Sequence, residues 1–505
     1  MEKKKSKKRS YVILLLCFIS LFKLSMGRCE PDDEISKTYF SAHMPFKSVS
    51  PERDSYFRNS FIKRSEDLMN KFDLTIFGGV SRNSDRLARY FLPNGKCSIR
   101  IANDKAPNAA LRDVNAVHLN IDHEDHAFES IVSFNPKETI FGFGILYRQW
   151  FSRSSDKNIW YEISFPILHV EHDLGLKENI ISSGNIVIPT RVANASWAFS
   201  QETWKFGKIY PKKKISTVGV SDIELKFGWE AFHSDCCHAE TFLGFVLPTG
   251  TRPNGFYLYE PILGNNHHWG FITGSTLAIR AWERDDHEIT CILGFNRDYL
   301  FAAKEMRSFD LIGKPWGRYL EVYADEASAQ KAYKNQGDVT AGDRGDPGIN
   351  TFTRCVNVTP GYIVTFNTGY LYSYHELQIE IGYNFFTRPK EKIDCIGWLK
   401  EELSGPALVG AQGGGKTSRA RTISQNFEAS DQPIRSYQAL SIRDLDINSA
   451  AHPAVHSHTF YSQVGYQWTQ QEYPLLLNAG LSYEFGSNNA ALSRLLGWGK
   501  VELMF

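Results

Sequence analysis

The segment ELQIEIGYNFF, Glu376–Phe386, alternates residue by residue. Leu377, Ile379, Ile381, Tyr383 and Phe385 stand against Glu376, Gln378, Glu380, Gly382 and Asn384. Successive side chains of a strand point to opposite faces, so this stretch carries one apolar row and one polar, acidic row. The same design recurs in DIELKFGWEAF from Asp222, in LLLNAGLSYEF from Leu475 and in HEITCILGF from His287. Looser copies run over Thr139–Trp150, Ile159–His169, Thr241–Pro248, His268–Glu283, Trp316–Tyr323, Gly361–Tyr372 and Phe460–Trp468, with shorter ones at Asp73–Val80 and Phe128–Phe134. Together with the C-terminal GWGKVELMF this predicts about 12–14 strands, several of roughly the 9–11 residues that a tilted transmembrane strand needs.

A soluble sandwich also alternates, with its apolar row in a core. A membrane barrel turns that row to lipid and the polar row to its lumen, and it closes because no strand edge can stay unpaired in hydrocarbon. Long strands favour the barrel. So do aromatic residues near strand ends (Trp150, Trp160, Trp269, Trp282, Trp468, Tyr473) and tight turns such as NPKE at Asn135 and ERDD at Glu283 alternating with long polar connections. The last residue is aromatic, Phe505, on an alternating strand where Val501 and Leu503 oppose Lys500, Glu502 and Met504. Such an ending resembles the signal that outer-membrane barrels present to their assembly machinery.

The N-terminus reads MEKKKSKKRSYVILLLCFISLFKLSMGRCEP, a basic cluster, a short apolar run Tyr11–Phe22 and small residues Ser25 and Gly27. This is the pattern of a cleaved signal peptide, 1–28, and the run is too short to span a bilayer as a helix. Residues 29–70 form a periplasmic or plug-like extension with a helix-like piece near Glu52–Phe72, and the barrel follows over 71–505, interrupted by a loop insertion at 393–456. The fold class expected is all-β, a single large antiparallel transmembrane β-barrel with long outer loops and a short N-terminal helical extension.

The segments PTGTRP…YLYEPILGNNHHWGF, DPGINTFTRCVNVTPGY, EIGYNFFTRP and LSYEFGSNNAALSRLLGWGKVELMF resemble an uncharacterised, porin-like family of bacterial outer-membrane β-barrel proteins. The likeness runs from about Lys37 to the end, with poorer fits at 183–214 and 395–456. It implies a barrel in the bacterial outer membrane, surrounded by outer-membrane lipids, and carries over no catalytic residue.

GAQGGGKT, Gly410–Thr417, matches the phosphate-loop pattern. A working loop needs a buried strand before it and a helix after it. Here LSGPALV is broken by Pro406, and the following SRARTISQNFEASDQP has no apolar stripe. A flexible loop without ATP is expected. RGD, Arg344–Asp346, reads as a turn, and DHEDH, Asp122–His126, as a solvated loop. HSDCCH, His233–His238, falls at a turn where its side chains are expected to splay, so no metal site is expected. Of eight cysteines, Cys17 lies in the signal peptide, and the remaining odd number shows no disulfide framework. A net charge of +1 gives no basic footprint for nucleic acid. No G-x-S-x-G elbow is present.

Function is therefore expected to lie in the lumen. Asp222, Glu224, Lys226, Glu230, Glu376, Glu380 and Glu484 are candidate lining residues, joined on the same faces by Glu162, Glu240, Arg148 and Arg280. A water-filled lumen with more acids than bases suggests a passive, mildly cation-preferring pore for small polar solutes. A structural or surface-interaction barrel with a closed lumen, its charges mutually neutralised, is the alternative, and a barrel-embedded hydrolase a remote one. No cofactor is expected.

Overall fold

The computed structural model describes residues 34–54, 70–121, 127–154, 157–183, 192–211, 213–234, 236–323, 346–394, 416–417, 423–424, 442–468 and 471–505. The expected signal peptide, DHEDH, most of RGD and GAQGGG lie outside them. So does most of the helix-like piece, whose ends are a turn at Glu52–Asp54 and the start of a strand at Asn70.

Twelve strands close into one antiparallel barrel. They are β1 (Asn70–Ser81), β2 (Lys137–Ser154), β3 (Lys157–Asp173), β4 (Ile223–Ser234), β5 (Cys237–Leu247), β6 (Gly270–Arg284), β7 (His287–Leu300), β8 (Gly361–Tyr374), β9 (Leu377–Arg388), β10 (Val455–Trp468), β11 (Leu475–Gly486) and β12 (Arg494–Met504). Each pairs with its neighbour in sequence, and β12 closes on β1, Leu503 opposite Phe72 and Arg494 opposite Ser81. A thirteenth strand of the sheet, Ile215–Val220, prolongs β4 along Ile167–His172 of β3. Every backbone ladder thus finds a partner, the condition for crossing a bilayer with strands.

The alternation read from the sequence is turned inside out relative to a water-soluble core. Ile381 is 57% exposed on the outer wall, whereas Glu380 beside it is 1% exposed inside. Leu481 and Glu484 on β11 divide in the same way. In water this would expose a continuous apolar band and bury a charged one, an arrangement that costs free energy twice over. In lipid both rows are at home.

Glycines opposite tryptophans shape the wall from within. Trp160 pairs across the ladder with Gly228, and Trp498 with Gly480. In both cases a Cβ on the glycine would stand 2.2 Å from the indole. The rings lie flat over the opposite strand because no side chain occupies that place.

Short turns join β2–β3, β4–β5, β6–β7, β8–β9 and β10–β11 at one end, where both chain ends of the barrel also meet: Asn70 and Phe505 exchange backbone hydrogen bonds. Asp285 and His375, at positive φ (52° and 49°), make two of those turns tight enough for two-residue loops. The long connections leave from the other end, and their described parts fold into a cap with its own core, which includes Phe91 of the helix α1 (Ser84–Phe91), Phe128, Phe199, Phe309 and Trp316. Two segments expected in the wall belong to this cap. Phe128–Ser133 pairs with Ser98–Ala102 and Lys177–Ser183 in a small sheet, and Trp316–Tyr323 holds a 3₁₀ turn begun by Trp316 at φ 62°. Alternation marks any sheet with one buried face, so period alone does not separate cap from wall. The NPKE turn likewise joins the cap sheet to β2 rather than two wall strands.

Candidate functional site

Residues 34–54 thread the barrel. They contain no helix or strand, so beyond a few local bonds, such as Phe46 N to Glu52 Oε1, their backbone groups and charges turn to the wall and the cap. At the cap end Lys37 N bonds Tyr90 O, Thr38 N bonds Ser449 O, and the Ser36 hydroxyl donates to Asp310 Oδ2 at 2.6 Å. Lower down, Arg388 Nη2 donates to Ser41 O and Asn384 Nδ2 to Val49 O. His43 stacks on Phe386 at 4.3 Å and meets Glu484 of β11 at 2.5 Å. Phe46 fills the place left by Gly144, where a Cβ would be 2.1 Å from its ring. At the deepest described point Arg53 bridges Glu162 of β3 and Glu224 of β4, the latter at 2.6 Å, while Lys500 of β12 donates to its carbonyl at 2.8 Å. The strap thus touches β2, β3, β4, β9, β11 and β12.

Most of the lumen charges described lie against an opposite one. Glu162 meets Arg53, Arg148 (2.7 Å) and Lys226 (3.3 Å). Arg148 also reaches Glu240 at 3.1 Å and covers the Trp160 ring at 3.9 Å. On the β1–β12 seam Asp73 and Glu502 stand directly opposite. Like charges so placed repel, and Lys71 and Lys500 compensate, each within 3.4 Å of both carboxylates. Arg494 lies between Glu484 (2.9 Å) and Glu138 (3.5 Å). Glu380 is held by the Tyr461 hydroxyl (2.7 Å) and Gln463 (2.5 Å). One cavity along the strap, of about 30 Å³, lies between His43, Glu52, Asn384 and Arg494, room for one or two waters.

Of the residues singled out in the sequence, Glu224, Lys226, Glu380 and Glu484 lie inside the barrel and are buried. Asp222 sits just before β4 and anchors a cap loop, accepting from the amides of Asn265 (2.6 Å) and Gly250. Glu230 lies at the short-turn rim. Glu376 is not on a wall strand: it occupies the β8–β9 turn, where its carbonyl accepts from Gln467 N. The alternating row runs on through the turn, so spacing alone places it one residue too far. Arg53 carries no sequence signal, since the strap has no period.

The cap at the long-connection end has buried pairs of its own. Arg307 meets Glu305 (2.8 Å) and Glu391 (3.0 Å) with its guanidinium 3.3 Å over the Tyr39 ring, and Arg318 meets Asp310 at 2.9 Å. Burial pushes the Glu260 carboxyl up to about 7, although the amides of Asn254 and Gly255 bond it.

No protein-family model matches the chain, and no curated protein matches it. Among solved structures it is similar to an outer membrane channel from Pseudomonas putida F1 (9% identity, 90% of this chain and 100% of that one, TM-score 0.42). It is also similar to a FadL homologue from Pseudomonas aeruginosa (7%, 86% and 90%, 0.29) and to the toluene transporter TodX of Pseudomonas putida (9%, 94% and 98%, 0.28). Matches this distant carry no argument about what passes through the barrel. By its own register and burial, the chain is a closed twelve-stranded antiparallel β-barrel of the outer-membrane type.

Proposed function

We propose that the chain is an outer-membrane channel for small polar solutes, held shut at rest by its own strap. The carrying observation is the course of residues 43–53 down the lumen, tied to the wall by hydrogen bonds and ion pairs, with Met44 and Phe46 packed on one apolar patch of the wall. Polar surfaces on both strap and wall stay wettable when they part, and the passage left behind carries Glu, Lys, Arg, Asn and Gln beside an apolar patch of Phe77, Leu146, Leu168 and Trp498; its charged and amide groups suit hydrated solutes. The short-turn end faces the periplasm and the cap faces outward, in keeping with barrels that have short periplasmic turns. Phe505, at the end of the closing strand, is the contact for barrel assembly.

The mutual neutralisation of the lumen charges favours a second reading, a barrel that never opens and presents its cap for surface contact. Swelling of proteoliposomes in isosmotic glycerol or glucose separates the two. A barrel lacking residues 34–54 is expected to admit both solutes, and wild type to admit them slowly. If the shortened barrel folds and admits neither, the closed structural barrel replaces the channel.

A further inference from the structure

We propose that Glu230, His233 and His238, at the short-turn end of the lumen, form a binding site for a divalent transition cation of the zinc class. The site is independent of whether the lumen conducts.

A local defect in the ladder makes the site. Residues three apart on a regular strand point to opposite faces. Between β4 and β5, however, Ala239 pairs with Phe232 and the next residue, Glu240, pairs with Glu230, so Ala231 is an extra residue on β4. This bulge returns His233 to the face that carries Glu230. His238 is the ladder partner of His233 on the same side, and their rings meet edge to face at 5.8 Å. One ligand atom from each of the three residues falls within 4.8 Å of the others. Glu230 Oε1 stands 3.2 Å from His233 Nδ1 and 2.5 Å from His238 Nδ1, and the latter nitrogen makes no hydrogen bond at that approach. Tetrahedral zinc with bonds of about 2.0–2.1 Å spaces its ligand atoms at about 3.4 Å, so small side-chain shifts complete the geometry.

Two further features fit a cation. Asn158 Nδ2 donates to the other oxygen of the same carboxylate, Oε2, and so fixes its orientation from outside the ligand set. The Glu230 and His238 side chains are 2% and 8% exposed, but His233 is 36% exposed and leaves a way in from the turn side. Two imidazoles and one carboxylate suit Zn²⁺, Cu²⁺ or Ni²⁺ rather than Mg²⁺ or Ca²⁺, and three protein ligands leave a coordination position for water or a small anion.

The test uses the full barrel in detergent, stripped with a chelator and titrated with Zn²⁺ by calorimetry, with Co²⁺ absorption reporting ligand type. One Zn²⁺ per chain is expected, retained in His375→Ala at the β8–β9 turn. His233→Ala, an exposed position that leaves packing intact, is expected to weaken binding at least tenfold. Asn158→Ala is expected to weaken it about 10–100-fold. No Zn²⁺ uptake by wild type overturns the proposal, and so does uptake unchanged in His233→Ala. A cobalt–thiolate band that disappears in Cys236→Ser would assign the metal to the turn cysteine and overturn it as well.

Discussion

Arg53 of the strap and Glu224 of β4 stand 2.6 Å apart with side chains 1% and 6% exposed, and the same guanidinium also meets Glu162. One cation from the strap thus holds two wall acids, far from bulk water. Arg53→Ala leaves both acids to Arg148 and Lys226 alone. Breaking a buried pair from one side costs roughly 3–5 kcal/mol, and the remaining cations place this variant at the lower end. Urea unfolding followed by tryptophan fluorescence checks it. Arg53→Lys is expected to recover part of the loss only, because an ammonium cannot span both carboxylates as the planar fork does.

The glycines under the indoles give a second expectation. Gly228→Ala and Gly480→Ala each push a methyl into a tryptophan ring that lies 2.2 Å from the added Cβ, and are expected to destabilise by about 1–3 kcal/mol. Gly499→Ala, on the lipid face with its nearest neighbour 4.0 Å away, is expected to be neutral. Midpoints of unfolding in detergent micelles compare the three.

The orientation of the apolar row is testable at Leu481, midway along β11 and 62% exposed. On a soluble protein an exposed Leu→Arg change is close to neutral. On a barrel wall near the bilayer midplane it costs roughly 2–4 kcal/mol. Folding titrations of Leu481→Arg into phospholipid vesicles decide between these.

The cap offers a pH dependence. Burial raises the Glu260 carboxyl in the folded chain to about 7 from its ordinary 4.5. Between these values the folded state holds a proton that the unfolded state has lost, so this group's contribution to stability falls as pH rises from about 4.5 to about 7. Glu260→Gln removes the titration. The stability of this variant relative to wild type is expected to rise across that window and to level off above it; a flat difference from pH 4.5 to 8 would contradict the assignment.

The wall was legible in the sequence because period two is a local property. Ile379, Glu380 and Ile381 alternate whatever surrounds them, and the same row fixed all twelve wall strands, though not their full lengths. Placement within the fold was less legible. Phe128 and Val132 alternate for the cap core, and Glu376 continues a row beyond the strand that carries it. The strap was illegible because its order comes from partners more than a hundred residues away: Arg53 reads as one more charged residue until Glu162 and Glu224 surround it. The His233–His238 cluster, expected to splay, converges on Glu230 through a single extra residue, Ala231, that no spacing rule reveals.

The central claim is that the strap closes a barrel that is otherwise a passage. Planar-bilayer recording of the refolded protein, with and without residues 34–54, tests it most directly, with heat-modifiable gel migration showing that both barrels are folded. Wild type is expected to be electrically quiet, and the shortened barrel to give steady single-channel conductance. A folded, shortened barrel as silent as wild type would contradict the account.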